Sequence, residues 1–123
     1  MKNKFSINGR IPIRDLYKAK KSDEIPKYGD FLVRYTSSEI HGENFLIVEI
    51  FKEITDEGIV SCLLWWNFKD ERGNLTPREG GQYMGNGWDT YKANNYEIQF
   101  LIDKLKSVGY KWDFENKQLI RIE

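Results

Sequence analysis

The chain has 123 residues, with 19 Lys or Arg balanced by 19 Asp or Glu, and this zero formal net charge argues against a general polyanion binder. That length accommodates one domain with enough interior to hold a core without disulfide staples. A single cysteine, Cys62, excludes an intramolecular disulfide or a multi-cysteine metal site, and its place in an apolar run fits a buried structural thiol.

The charges are unevenly spread. Residues 1–27 carry eight Lys or Arg against Asp15, Asp23 and Glu24, whereas residues 39–57 carry six acids against Lys52 alone. A basic arm lying near an acidic sheet would neutralise both. The opening MKNKFSINGRIPI is broken by Asn, Gly and Pro, and no stretch approaches the roughly 18 apolar residues of a membrane span, so no membrane association and a cytoplasmic location are expected.

In chain order, residues 5–7 and 10–13 flank Asn8-Gly9, a two-residue hairpin signal, and Pro12 confines the second arm to a sheet edge. Residues 14–21, RDLYKAKK, can make two helical turns with Leu16, Tyr17 and Ala19 toward the core. Pro26 and Gly29-Asp30 punctuate the entry to a strand over 31–35, with Phe31, Val33 and Tyr35 on one face. A loop over 37–43 follows.

The dominant apolar segment is residues 44–68, NFLIVEIFKEITDEGIVSCLLWWNF. Residues 45–51 and 59–68 are rich in β-branched and aromatic side chains, and Thr55-Asp56-Glu57-Gly58 supplies a turn, so this segment reads as a β-hairpin. Leu46, Val48 and Ile50 occupy one face and Phe45, Ile47 and Phe51 the other, which calls for cover on both. Residues 69–81, charged and broken by Gly73, Pro77 and Gly80-Gly81, read as an exposed and mobile connection. Residues 82–91, QYMGNGWDTY, read as a short aromatic hairpin that brings Tyr83 and Trp88 near one another.

A helix is expected from Asn94 or Asn95 to Val108, with Asn94 and Glu97 as a capping box and Gly109 beyond its end. Ile98, Leu101, Ile102, Leu105 and Val108 form its apolar stripe, with Glu97, Asp103, Lys104 and Lys106 outside. The closing residues 110–113 and 118–122 read as a hairpin around 114–117. Asn116 suits its left-handed position, with Tyr110 and Trp112 facing Leu119 or Ile120. Together these elements predict an α+β fold. A curved antiparallel sheet of about five to seven strands, with an SH3-like or OB-like partial barrel as one arrangement, carries one main helix at about 95–108 and then a β-hairpin.

The closing pattern L-x-x-x-G-Y-K-W-D-x-E-x-K-x-L is carried by Leu105, Gly109, Tyr110, Lys111, Trp112, Asp113, Glu115, Lys117 and Leu119. It resembles the tail of small uncharacterised proteins of gut-bacterial phages and mobile elements. The G-D-F-L-V at 29–33 is similar to the opening of their β domain. The resemblance covers about the last quarter of the chain; it implies a phage or prophage source and a small sheet with a C-terminal helix and hairpin, and no activity.

No catalytic set emerges. His41 is the sole histidine, in a polar loop, so neither a His-based zinc cluster nor a Ser-His-Asp triad can be built around more than one residue. Asp56-Glu57 and Asp70-Glu71 sit in turns, where acids are ordinary, and the glycines at 80, 81, 85 and 87 do not make a phosphate-binding loop. What remains is aromatic content: Trp65, Trp66, Tyr83, Trp88 and Tyr91. Adjacent tryptophans on a strand point to opposite faces, so only one can join a given core layer. The expectation is a non-enzymatic protein-interaction module without cofactor or metal, contacting a protein partner, possible host factor included, through these aromatics. The alternative is single-stranded nucleic-acid binding by stacking on the same rings.

Overall fold

The structure is a computed structural model and describes residues 9–18, 23–38, 43–77, 80–83 and 90–122. Its elements in order are α1 (Ile13–Lys18), β1 (Phe31–Ser38), β2 (Glu43–Ile54), β3 (Val60–Asn67), β4 (Arg72–Asn74) and β5 (Gln82–Tyr83). There follow β6 (Thr90–Lys92), α2 (Asn95–Ser107), β7 (Tyr110–Asp113) and β8 (Gln118–Arg121). The fold is α+β, as the pattern of elements predicts. An antiparallel sheet runs β4-β3-β2-β1-β6, with β5 also on β3, and β7 and β8 form a separate hairpin after the main helix. The sheet does not close, because β6 stands at one edge while β4 and β5 share the other.

The predicted central hairpin is β2 and β3. Its turn is shaped by Thr55, whose carbonyl accepts from Gly58 N at 2.9 Å and whose hydroxyl accepts from Ile59 N at 3.1 Å. Gly58 takes φ 82, a left-handed conformation open to glycine without steric cost. Register is regular from Ile47↔Asn67 to Ile50↔Leu64, then shifts to Phe51↔Cys62 and again to Glu53↔Ser61. The first shift is a β-bulge that puts both Leu63 and Leu64 into the helix-side core and turns Cys62 to the face of Phe51.

Both faces of the hairpin are covered, as its lack of clean alternation requires. On one side α2 and the closing hairpin bury Phe31, Val33, Val48, Ile50, Leu64, Leu101, Leu105 and Trp112 together. On the other, Ile13 and Leu16 of α1 cover Leu32, Phe51 and Val60. Full burial of a Leu such as Leu101 contributes about 1.5–3 kcal/mol.

The predicted capping box is present. Asn94 Oδ1 accepts from Glu97 N at 2.9 Å, and Asn94 N donates to Glu97 Oε1 at 2.8 Å. Glu97 itself departs from expectation, for it is fully buried rather than outward. Arg10 accounts for this: its Nη1 and Nη2 donate to Glu97 Oε1 and Oε2 at 2.7 and 2.8 Å, and Nη1 also reaches the Lys92 carbonyl at 3.1 Å. A cation from the basic arm thus ends at the head of α2, outside the acidic stretch 39–57. Val108 also departs from expectation. It is the C-cap with φ −109, and leaving the helical path there exposes it at the end of the stripe.

Four further expectations are corrected. Residues 10–12 form no strand, since the Pro12 carbonyl instead accepts from Asp15 N at 3.0 Å and starts α1; residues 5–8 of the expected hairpin lie outside the described residues. Part of the expected loop 69–81 is β4, which pairs Trp65↔Asn74, Trp66↔Gly73 and Asn67↔Arg72. The two ends of residues 82–91 do not pair with each other: β5 joins β3 at Ser61 and Cys62, whereas β6 joins β1 at the opposite edge. In the closing hairpin, Trp112 pairs with Leu119 as expected, but the positive φ falls at Lys117 rather than Asn116.

Candidate functional site

Strand register sets which side chains share the sheet face opposite α2. One row across the sheet reads Thr90, Arg34, Ile47, Asn67, Arg72, and the next reads Lys92, Leu32, Glu49, Trp65, Asn74. Cys62 and Gln82 follow beside Phe51, brought to this face by the bulge. The face therefore divides: α1 covers its apolar end, and among the described residues the remainder is polar apart from Ile47 and Trp65.

Trp65 is half-buried, and its indole Nε1 donates to Gln82 Oε1 at 2.7 Å, while Gln82 Nε2 donates to the Leu63 carbonyl at 3.2 Å. This short chain of hydrogen bonds fixes the ring against the β5 edge. Trp65 lines a shallow groove of about 460 Å³ with Ile47, Asn67, Arg72 and Gly73. Gly73 leaves room there, since a Cβ at this position would meet the Trp65 carbonyl and lie 2.9 Å from Trp66 Cα. Arg72 is ion-paired with Asp70 at 3.6 Å.

Trp66 points to the opposite face, as neighbouring strand residues must. Its Nε1 donates to Glu71 Oε2 at 3.0 Å, Lys104 Nζ stands 4.5 Å from its ring centroid, and Lys104 and Glu71 pair at 3.6 Å. These contacts lock α2 to the β3–β4 turn, which is a structural role. Tyr91 is half-buried and packs against the same helix-side core. Tyr83 is placed by its backbone in β5, opposite Ser61, and Trp88 lies outside the described residues. The aromatics expected to form one surface are thus divided: Trp66 and Tyr91 share the helix side, and Trp65 stands on the other.

Beside Trp65, on the neighbouring strand, lies a carboxyl group carried inside the apolar run 45–51. Glu49 is fully buried, and neither carboxyl oxygen has a partner of full hydrogen-bond geometry among the described residues. Burial pushes its pKa from the ordinary 4.5 up to about 7, against the opposing influence of the Arg34 charge and the Cys62 thiol. Cys62 is buried and reduced; burial raises its pKa strongly and the Glu49 carboxyl raises it further, so the thiol stays protonated and unreactive. Thr90 is also fully buried, with its hydroxyl unpartnered among the described residues.

Among the described residues no three His, Cys, Asp or Glu side chains gather as a metal site, and no helix is long and apolar enough to cross a membrane. His41 lies outside the described residues. No protein-family model, curated protein or solved structure matches the chain.

Proposed function

We propose that this chain is a non-enzymatic binding module that engages a protein partner through the Trp65 groove. The observation that carries the reading is Trp65 itself: a half-buried indole, held by Gln82 and flanked by Ile47, Asn67 and Arg72 in an open groove. Trp and Arg dominate the energetics of protein interfaces, where a rigid anchor side chain beside a groove is the recurring arrangement. The groove thus replaces the wider aromatic surface expected from the sequence. An origin in a phage or mobile element, with a host factor as the partner, belongs to the same proposal and rests on the closing G-Y-K-W-D pattern.

Two features favour binding over catalysis. Glu49 has a pKa suited to acid–base work but is fully buried, and Cys62 beside it is kept protonated, so neither is an activated group at a surface. The second reading, single-stranded nucleic acid stacked on Trp65, draws on the adjacent Arg72. That cation is already paired with Asp70, which weakens it as part of a phosphate track.

The test is a pull-down from bacterial host lysate, with and without nuclease, comparing the native chain with Trp65→Ala. A protein retained after nuclease treatment and lost with Trp65→Ala, at unchanged far-UV circular dichroism, is the expected result. Retention that vanishes with nuclease and falls steeply with salt would transfer the site to nucleic acid.

A further inference from the structure

A second groove, on the helix side of the sheet, lies between the closing hairpin and the segment after β4. Its volume is about 370 Å³, and Tyr28, Leu63, Pro77, Trp112 and Leu119 supply apolar and aromatic walls. That size is at the lower end of small-molecule pockets, which span roughly 300–1,000 Å³.

Its polar groups lean to one kind. Trp112 is 5 % exposed, seated edge-on to Phe31 at 6.3 Å, and its indole Nε1 is buried with no acceptor among the described residues. A buried donor left unmade carries its desolvation cost without return, so an acceptor brought into the groove would gain more than at an already satisfied site. Lys117, Thr76 and Gln118 also line the groove, and among the described residues no carboxylate does. Lys117 makes no ion pair among the described residues.

Lys117 is exposed at the rim of the groove, where its backbone and Gly29 set the course of its stem. It takes φ 54, left-handed for a residue with a side chain, a conformation disfavoured for non-glycine residues. Its stem lies over Gly29, where an added Cβ would come within 3.0–3.3 Å of Lys117 Cδ, Cγ and Cβ. Gly29 takes φ 91, so glycine there serves both the turn and the passage of the lysine stem.

We infer that this groove binds a small ligand that joins a carboxylate to a flat apolar body. The carboxylate would be taken by the Lys117 ammonium and the Trp112 indole N–H, and the apolar body by the walls of Tyr28, Leu63, Pro77 and Leu119. The site is separate from the Trp65 groove and does not rest on the function proposed for it.

The experiment uses ¹⁵N-labelled full chain and follows the indole N–H resonances, with Trp112 assigned through Trp112→Phe. The probes are 2-naphthoate and its neutral counterpart 2-naphthamide. The expected result is a saturable shift of the Trp112 indole resonance by naphthoate with a dissociation constant in the millimolar range or below, and binding at least about tenfold weaker for the amide. Lys117→Gln, checked for fold by circular dichroism, should weaken naphthoate by a similar factor and leave the amide unchanged. No saturable shift up to about 10 mM naphthoate, or equal binding of acid and amide to the native chain, overturns the inference. The acid–amide comparison needs no variant, so a folding defect in Lys117→Gln does not shield it.

Discussion

Glu49 should make the protein less stable as pH rises from about 4.5 to about 7, and Glu49→Gln should abolish that loss. The groups that bear on the carboxyl are Arg34 on β1, whose charge favours ionisation, and the Cys62 thiol on β3; burial outweighs both and raises the pKa from 4.5 to about 7. Below about pH 4.5 the carboxyl is protonated in both folded and unfolded chains and contributes no pH dependence. Between about 4.5 and 7 the unfolded chain releases its proton while the folded one keeps it, so stability declines with pH and levels off above the folded pKa. A rise of that size corresponds to about 3 kcal/mol in full. Urea denaturation of native and Glu49→Gln chains at matched pH values reads the difference directly, because other titrating groups cancel between them. The exchange of carboxyl for amide adds an offset through its own hydrogen-bonding needs, but that offset does not vary with pH. The stability gap in favour of the variant should therefore widen by about 3 kcal/mol from pH ~4.5 to ~8. A gap constant within about 0.5 kcal/mol would refute the reasoning, since it would mean that Glu49 ionises in the fold as readily as in water. A gap that narrows would mean that the Arg34 charge stabilises an ionised Glu49.

Leu101→Ala, which empties a fully buried site between α2 and the sheet, should cost about 2–5 kcal/mol in chemical denaturation; a loss below about 0.5 kcal/mol would mean that the helix stripe is not packed there. Glu97→Ala removes the Glu97 side-chain half of the capping box and the bidentate partner of Arg10, and should cost about 3–5 kcal/mol. Asn94→Ala, which leaves the ion pair in place, should cost only about 1 kcal/mol, and equal losses for the two would refute the added role of Arg10. Gly73→Ala forces a Cβ against the Trp65 carbonyl and should detach β4, read as faster amide exchange at Arg72–Asn74 with a stability loss of about 1–3 kcal/mol.

The parts of this fold that were legible in the sequence are those in which one local rule decides the outcome. The run 45–51 reads as a strand covered on both sides, and the Asn94-x-x-Glu97 spacing places the capping box of α2 on the two residues observed to form it. Where an element depends on distant partners, the signal was absent. Nothing in GNGW-type composition says that residues 82–83 and 90–92 go to opposite sheet edges, because β5 and β6 each have two or three residues and derive their place from β3 and β1. The helix pattern places Glu97 among the outward acids because its long-range partner, Arg10, lies 87 residues away. Glu49 is different, for its burial was implied: a run that needs cover on both faces carries its central Glu inside with it. Of the candidate site, the opposite orientations of Trp65 and Trp66 were legible from the two-residue period of a strand. Which of the two would meet a helix was not.

The turns explain why β4 went unseen. Gly58 marks the β2–β3 turn, but two other hairpins turn without glycine or proline. In N-F-K-D-E-R, Asn67 Oδ1 accepts from Lys69 N at 2.9 Å and Asp70 N at 3.1 Å, and Glu71 takes φ 52. In D-F-E-N-K-Q, Asp113 Oδ1 accepts from Glu115 N at 3.0 Å and Asn116 N at 3.1 Å, and Lys117 takes φ 54. The same device is used twice: an Asx side chain caps the next two free amides, and the residue four positions on absorbs the left-handed conformation. Hydrogen bonding of Asp113 to Asn116 also holds its carboxyl below the usual range, so this loop is formed best with Asp113 ionised. Glycine would satisfy the left-handed position at less steric cost, yet in both loops a long charged residue occupies it. In each case that residue makes a contact that glycine could not. Glu71 holds Trp66 and Lys104, and Lys117 lays its stem over Gly29 at the mouth of the second groove. The conformational cost is offset at Glu71 by anchoring a hairpin to α2. At Lys117 the side chain makes no ion pair among the described residues, and the benefit that offsets its strain is best sought in what its ammonium would bind.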